Sequence, residues 1–119
     1  MKKRFNLLSI VKDCNFENLI EEVSDLCYSY NGINEDVYFY EETKYKGYNI
    51  EINGKCSVLV TGKVNTYHDA PDEFWATSKN ITIEFGEINV WKNGFIRDVE
   101  FDKEHQASTL IENFIKQYI

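Results

Sequence analysis

The residues best suited to chemistry in this 119-residue chain lie in one short segment, residues 67–76. Its histidine, His68, can act as a general acid or base near neutral pH. Three carboxylates follow it: Asp69, Asp72 and Glu73. Imidazole and carboxylates could also hold a divalent metal, but the spacing matches neither a zinc site nor a calcium loop. We therefore favour a charged turn around Pro71, and a small metal-dependent hydrolase is the alternative.

Two large aromatic residues in the same segment, Phe74 and Trp75, suit recognition of a partner. Antiparallel strands are normally joined by two to five residues, so a connection of about ten residues predicts a functional loop. Aromatic side chains often anchor protein interfaces, and Tyr38, Tyr40 and Tyr45 are of the same type. We predict a partner-binding surface with these members: Tyr67, His68, Asp72, Glu73, Phe74, Trp75, Trp91 and Ile96. In the alternative, Trp75 packs over the core and a helix covers the sheet face that carries Leu59, Trp91 and Ile96.

The second histidine, His105, follows Asp102 and is expected in the exposed first turn of the last helix. A joint site of His68, His105 and Asp102 would require the loop to meet that helix. No serine or cysteine lies in a nucleophile elbow, and no glycine-rich phosphate loop is present in the sequence. We therefore predict no catalytic residue and no cofactor.

Three cysteines are widely spaced: Cys14, Cys27 and Cys56. Their odd number and the lack of a Cys-x-x-Cys pair indicate neither a disulfide framework nor a zinc knuckle. Two of them, Cys27 and Cys56, fall on apolar faces of predicted elements. We expect buried, unpaired thiols.

The net charge of −7 at pH 7 opposes binding to phosphate backbones and anionic lipids. The only basic cluster in the sequence is Lys2, Lys3 and Arg4. We therefore expect no direct nucleic-acid binding and no membrane association, and no stretch approaches the ~20 apolar residues of a membrane helix. An acidic mimic of nucleic acid, which inhibits a DNA-binding protein, is a further alternative and would need a surface row of carboxylates.

The N-terminal residues resemble a signal peptide, but Lys12 and Asp13 stand where small residues should precede a cleavage site. We therefore predict a cytoplasmic protein. Asparagine, isoleucine and lysine are abundant, whereas alanine occurs three times and arginine twice. This bias is typical of AT-rich coding sequence and favours a low-GC bacterium, or a phage or mobile element within one.

Apolar residues at helical spacing predict a helix from Phe16 to Tyr30, capped by Asn15 and ended by Asn31 and Gly32. A second helix is predicted after Asp102, which should cap it. Its apolar stripe is Ala107, Leu110, Ile111, Phe114, Ile115 and Tyr118. Residues 5–11 fit neither period cleanly, and we favour a strand there.

Between the helices the apolar period changes to two, which predicts strands. Asn53-Gly54 predicts a hairpin with Ile52 opposite Cys56, followed by a long central strand. The inward phase slips at Gly86-Glu87, which indicates a β-bulge. Asn93-Gly94 predicts a two-residue hairpin that pairs Trp91 with Ile96 on the outer face and sets Val99 opposite Ile88.

The sequence thus predicts a single α+β domain over residues 1–119. Its twisted antiparallel sheet has four to five strands and is flanked by two amphipathic helices, in the rough order β?-α-β-β-β-β-β-α. The favoured function is a non-catalytic interaction or structural module, phage- or mobile-element-encoded, that binds a protein partner or a second copy of itself.

Overall fold

The computed structural model describes residues 3–27, 33–65 and 73–119, with residues 63–65 and 73–77 described by their backbone alone. Strands in these ranges are β1 (Lys3–Asn6), β2 (Ile33–Tyr45), β3 (Tyr48–Asn65), β4 (Glu73–Trp91), β5 (Phe95–Ile96) and β6 (Val99–Asp102). Helices are α1 (Leu7–Lys12), α2 (Glu17–Cys27) and α3 (Glu104–Lys116). The predicted α+β class is confirmed.

The main sheet is antiparallel, with the strand order β2-β3-β4-β5. A small separate sheet pairs β1 with β6 in parallel, so that Phe5 lies beside Phe101. The predicted central position of the second hairpin strand is confirmed, because β3 pairs with β2 on one side and with β4 on the other. A four-stranded antiparallel sheet with helices packed on it is therefore the frame of the molecule.

The helices and the inward side chains of the sheet form one apolar core. Alternate residues of β3 are buried in it: Ile50, Ile52, Cys56, Val58 and Val60. Each helix contributes to the same cluster, for example through Leu7, Val23 and Ile111, all at most 2% exposed. Because full burial of an aliphatic side chain is worth roughly 1.5–3 kcal/mol, this face stabilises the fold. We call it the core face and the opposite side of the sheet the outer face.

The hairpin between β2 and β3 turns at Lys46 and Gly47, so the prediction at Asn53-Gly54 is wrong. Both turn residues have positive φ, 50° and 82°, as a two-residue type I′ turn requires. Gly54 instead lies inside β3 opposite Phe39, where a Cβ would lie 2.6 Å from Cζ of Phe39. This glycine allows the close approach of a ring, so Asn53-Gly54 does not mark a turn and Ile52 does not face Cys56.

The predicted β-bulge at Gly86-Glu87 is confirmed. Ile52 pairs with Ile88 and Gly54 pairs with Phe85, so β4 holds one more residue than β3 between these pairs. The extra residue moves the inward phase from odd positions, such as Ile83, to even positions on the other side of the bulge.

The hairpin at Asn93-Gly94 exists, but its predicted register is wrong by one residue. Trp91 pairs with Phe95, and Val90 pairs with Ile96. Three residues rather than two therefore form the loop, and Ile96 moves to the core face, beside the fully buried Val90. Val99 does not face Ile88, because the chain leaves the sheet after Ile96 and Val99 pairs with Lys3 in the parallel sheet.

The chain ends differ from their predictions in detail. The strand predicted for residues 5–11 is wrong for residues 7–11, because β1 ends at Asn6 and α1 begins at Leu7. Asn6 caps α1 by accepting a hydrogen bond from the Ser9 amide at 3.2 Å. Asp102 does not cap α3, because it ends β6 opposite Asn6, and Lys103 precedes the helix with φ 60° and no side-chain cap bond. The predicted stripe of α3 is buried at Ala107, Ile111 and Ile115.

The predicted first helix is confirmed as α2. Its start is capped as expected, because the Glu17 amide donates to Oδ1 of Asn15 at 3.2 Å. Its buried stripe consists of Leu19, Val23 and Cys27. The predicted end at Asn31 and Gly32 lies outside the described residues.

The molecule is long, at 68 × 20 × 19 Å, with a radius of gyration of 18.0 Å. A compact domain of this length would have a radius of gyration of about 13.5 Å. The 18 residues of β3 account for the difference, because an extended strand of that length spans about 60 Å. The pairing of β2 with β3 begins at Ile33 and Val60, whereas β3 and β4 pair onward to Asn65 and Glu73. We call this two-stranded continuation, residues 61–65 and 73–78, the arm.

Candidate functional site

The loop predicted at residues 67–76 overlaps a strand, because β4 already begins at Glu73. Glu73, Phe74 and Trp75 pair through their backbones with Asn65, Val64 and Lys63 of β3. The prediction that these residues belong to a loop is therefore wrong, since ladder pairing continues along the arm. Their side chains lie outside the described part of the structure, so whether they are exposed stays a prediction.

The other predicted loop residues, Tyr67, His68, Asp69 and Asp72, lie outside the described residues. The hypothesis of a metal site around His68 and the joint site with His105 therefore stay predictions. In the described part of the chain, no three His, Cys, Asp or Glu side chains are grouped as a metal site would need. His105 lies in the exposed first turn of α3, as the sequence predicts.

The outer face of the main sheet carries most of the large apolar side chains that remain exposed. Among the side chains that the structure describes, four of the five large exposed apolar or aromatic residues project from it: Tyr38, Tyr40, Leu59 and Phe95. Tyr38 is the most exposed of them, at 76%. The fifth, Tyr118, follows α3. The alternative in which a helix covers this face is wrong, because the helices contribute to the core on the other side.

Trp91 and Phe95 form an aromatic pair at one end of the outer face. They are opposite each other in the β4-β5 ladder, and their ring centroids lie 5.6 Å apart in an edge-on arrangement. Trp91 keeps its predicted place on this face, whereas Phe95 occupies the position predicted for Ile96. The sequence signal for Phe95 was present, but a two-residue loop at Asn93-Gly94 assigns that residue to the wrong face.

A cleft of about 340 Å³ adjoins the Trp91 ring on the outer face. Its lining combines one indole with amide and charged groups: Glu42, Thr43, Lys44, Asn49, Ile50, Glu51 and Trp91. Its size falls in the range of roughly 300–1,000 Å³ that is usual for ligand pockets. This end of the outer face can therefore accept an inserted side chain through both apolar and polar contacts.

Tyr40 is held beside two carboxylates at the edge of this cleft. Its hydroxyl donates a hydrogen bond to Glu42, which pairs with Glu51 across β2 and β3. The hydrogen bond to Glu42 raises the pKa of the Tyr40 hydroxyl, and desolvation and Glu51 act in the same direction. Like charges directly across a strand pair disfavour each other, so the donated proton helps to hold Glu42 and Glu51 together.

The middle of the outer face is more polar. Tyr38, Lys55 and Glu84 stand in one cross-strand row, in which Nζ of Lys55 lies 3.5 Å from Oε2 of Glu84. In the next row Oγ of Ser57 donates to Oδ1 of Asp36 at 2.7 Å. Exposed aromatic rings therefore alternate with satisfied polar groups, an arrangement that is common at protein interfaces.

A second cleft, about 430 Å³ in volume, lies where α2 meets β2. Its lining includes four carboxylates, from Glu22, Asp25, Glu35 and Asp36. Tyr38, at its rim, connects this acidic cleft with the outer face. The fold thus gathers acidic residues of a helix and a strand on one side of the molecule.

The cysteine prediction is confirmed for two of the three residues. Cys27 and Cys56 are buried and unpaired, whereas Cys14 is half-buried. Desolvation raises the pKa of Cys56 to about 12 and that of Cys14 to about 11, with smaller contributions from neighbouring carboxylates. Since the thiolate is the reactive form, these thiols are suited to packing.

Comparison with protein-family models, with curated proteins and with solved structures gives no match to this chain. Within the described residues, no helix has the length and apolar character needed to cross a membrane. The functional argument therefore depends on the geometry of the outer face and the arm.

Proposed function

We propose that this protein is a non-catalytic interaction module that binds a protein partner with the outer face of its sheet and with its arm. The observation that carries the proposal is the position of Tyr38, Tyr40, Leu59 and Phe95 on the one sheet face that the helices leave uncovered. A sheet face that carries several large exposed side chains and no covering helix is a candidate interaction surface.

The arm is the second part of the proposed surface. It prolongs β3 and β4 beyond the end of β2, and it carries Phe74 and Trp75 in the strand that leads away from its tip. A two-stranded ribbon can reach a partner that a compact domain cannot. Four more residues that the sequence predicts for partner binding remain part of the proposal: Tyr67, His68, Asp72 and Glu73.

The partner meets three kinds of contact on this surface. Aromatic rings supply apolar area, the Trp91 cleft accepts an inserted side chain, and Glu42 with Glu51 favours a positively charged group there. A protein with a basic side chain next to an apolar one would fit these contacts. We place this interaction in the cytoplasm, and in the host cytoplasm if a phage encodes the protein.

Affinity capture from a lysate of the source organism tests the proposal. The Tyr38→Ala/Phe95→Ala variant should lose the captured partner, and Phe74→Ala/Trp75→Ala should weaken or abolish its capture. Tyr118→Ala is the matched control, because it removes an aromatic ring of similar exposure outside the outer face. A partner that both double variants still capture, while their thermal unfolding is unchanged, would rule out this surface.

The partner could also be a second copy of the chain, and the edge of β4 favours this second form of the proposal. Within the described residues, β5 pairs only with Val90 and Trp91, so the edge of β4 from Glu73 to Asn89 has no described strand beside it. An open edge can pair with a second copy of the chain. Light scattering over a range of protein concentrations should then detect a dimer; a monomer at every concentration excludes this form.

An acidic mimic of nucleic acid is the remaining candidate, and the cleft with Glu22, Asp25, Glu35 and Asp36 favours it. This candidate predicts that the protein competes with DNA for a basic partner, and that the competition weakens as salt increases. Competition that is equal at low and high salt would contradict it.

A further inference from the structure

Three lysines from three separate segments converge at the end of the molecule where β2 turns into β3. The ammonium groups of Lys3 and Lys92 lie 5.0 Å and 4.9 Å from the centroid of the Tyr48 ring. That of Lys46 lies 5.3 Å from the Tyr45 ring. Lys3 also donates a hydrogen bond of 2.7 Å to the Tyr48 hydroxyl. We call Lys3, Lys46 and Lys92 the basic cluster.

Carboxylates do not neutralise this cluster. In the described part of the chain the ion pairs join Arg4 to Glu100 and Lys55 to Glu84, so none includes a cluster lysine. One acidic residue, Asp102, lines the same cleft. The three lysines of the basic cluster therefore form no ion pair with a described residue, on a chain whose net charge is −7.

Tyr45 and Tyr48, whose rings contact the basic cluster, pack against a buried residue of the core. Phe5, which is 5% exposed, packs edge-on against Tyr45 and Tyr48, with centroid distances of 6.3 Å and 5.1 Å. Gly47 of the same turn, with φ 82°, lies close to Lys92, because a Cβ there would be 3.8 Å from its Nζ. The rings are therefore in place before a ligand arrives, which lowers the entropic cost of binding.

A cleft of about 390 Å³ opens between these groups. Its lining is Lys3, Arg4, Phe5, Asn6, Tyr45, Lys46, Tyr48 and Asp102, and Lys92 stands beside it over Tyr48. The positive field acts on Tyr48 itself, because the hydrogen bond from Lys3 lowers the pKa of its hydroxyl and Lys92 contributes in the same direction.

We propose that this cleft binds a small oligophosphate, that is, a ligand that carries a pyrophosphate group. Each ammonium group is a point charge with three donors, a common partner of phosphate oxygens. Lys3 and Lys46 line the cleft and Lys92 stands beside it, and three such charges match the several charges of a pyrophosphate better than the single charge of a carboxylate. The cleft volume leaves room for a further group on the phosphate. The site is distinct from the outer face, so it does not depend on the proposed function.

Calorimetric titration with sodium pyrophosphate at low, fixed ionic strength tests the proposal. The Lys3→Gln/Lys92→Gln variant should bind at least about tenfold more weakly than the wild type, because it removes two charged donors. The matched control, Lys55→Gln/Lys116→Gln, makes the same change in net charge away from the cleft and should stay within about twofold. Thermal unfolding of each variant without ligand verifies that the fold is intact.

Two further titrations identify the source of the phosphate groups. ADP that competes with pyrophosphate indicates a nucleotide, and pyrophosphate that binds without competition from ADP indicates a smaller ligand; either result supports the proposal. A single-stranded oligonucleotide that binds more tightly than pyrophosphate would overturn it, because the ligand would then be a nucleic-acid backbone. Absence of pyrophosphate binding by the wild type at millimolar concentration, or an equal loss in the control variant, would also overturn it.

Discussion

Two tyrosines of the same hairpin, Tyr40 and Tyr48, lie on opposite faces of the sheet in opposite electrostatic surroundings. Tyr40 projects from the outer face of β2 and donates its proton to Glu42, with Glu51 beside it. Tyr48 belongs to the core side of β3 and accepts a hydrogen bond from Lys3. The pKa of the first hydroxyl is raised and that of the second is lowered.

This difference shows that the net charge of the chain does not describe its local fields. A protein of net charge −7 concentrates glutamates beside Tyr40 and lysines beside Tyr48. The alternation of a strand sends neighbouring residues to different faces, and only the fold decides which distant segments meet them. This difference is why we propose a protein partner with basic groups for the outer face and an anion for the end near Tyr48.

The core face and the outer face should differ most in how much a substitution lowers the free energy of unfolding. Ile52 is fully buried on the core face, so Ile52→Ala should lower the free energy of unfolding by about 2–5 kcal/mol. Tyr38→Ala removes a larger side chain from the outer face and should change it by no more than about 0.5 kcal/mol. Denaturant unfolding of both variants measures the difference; equal losses would mean that the outer face is also packed.

Gly54 of β3 and Gly86 of β4 allow a second comparison, of the stability lost when each is replaced by alanine. A Cβ at Gly54 would lie 2.6 Å from Cζ of Phe39 and 2.7 Å from the backbone oxygen of Glu84, so Gly54→Ala should cost about 1–3 kcal/mol. At Gly86 the nearest atom would be the backbone oxygen of Asn53 at 3.4 Å, and Gly86→Ala should cost less. Thermal unfolding compares them, and a larger loss at Gly86 would contradict the assigned strand register.

The smallest expected effect is the shift in the pKa of the Tyr40 and Tyr48 hydroxyls, which a pH titration measures. Both have an ordinary pKa of 10.0, and the hydroxyl of Tyr48 should ionise below that value and that of Tyr40 above it. In a pH titration followed by tyrosinate absorbance, the early phase, below pH 10.0, should disappear in Tyr48→Phe. The late phase, above pH 10.0, should disappear in Tyr40→Phe. Lys3→Gln should move the early phase back toward pH 10.0, because it removes the main cause of the lowered pKa of Tyr48.

The two groups should also affect stability with opposite signs. In the folded protein the Tyr48 hydroxyl loses its proton at a lower pH than in the unfolded chain. Its contribution to the free energy of unfolding is therefore present above pH 10.0 and is lost as the pH falls through the lowered pKa. The contribution of Tyr40 is full below pH 10.0 and is lost as the pH rises toward its raised pKa. Unfolding of the two phenylalanine variants across alkaline pH should show slope changes of opposite sign, and changes of the same sign would contradict the assigned surroundings.

Local patterns predicted much of the fold correctly. The helical spacing of Leu19, Val23 and Cys27 and the bulge at Gly86-Glu87 are both found in the structure. These features depend on the period of apolar residues and on one glycine, so nearby residues suffice to predict them. The turn at Lys46-Gly47 was missed because Asn53-Gly54 has the stronger turn composition, and only contact with Phe39 explains that glycine.

The candidate sites were less predictable than the elements. Tyr38, Tyr40 and Trp91 were recognised as interface residue types, but their exposure depends on which face the helices cover. Ile96 was assigned to the outer face and Phe95 was omitted. The predicted hairpin register was wrong by one residue, and such a shift moves each side chain of the strand to the opposite face. The basic cluster was invisible as a unit, since its lysines lie far apart in the sequence.

The sequence by itself determined the α+β class, the helices α2 and α3 and the bulge in β4, because the apolar period acts over a few residues. It also determined the overall charge and the types of side chain available for binding. Only the tertiary structure decided which strands pair, which sheet face stays open, and which lysines meet Tyr48. These outcomes depend on contacts between residues such as Lys3 and Tyr48, 45 positions apart, and such contacts form only when the whole chain packs.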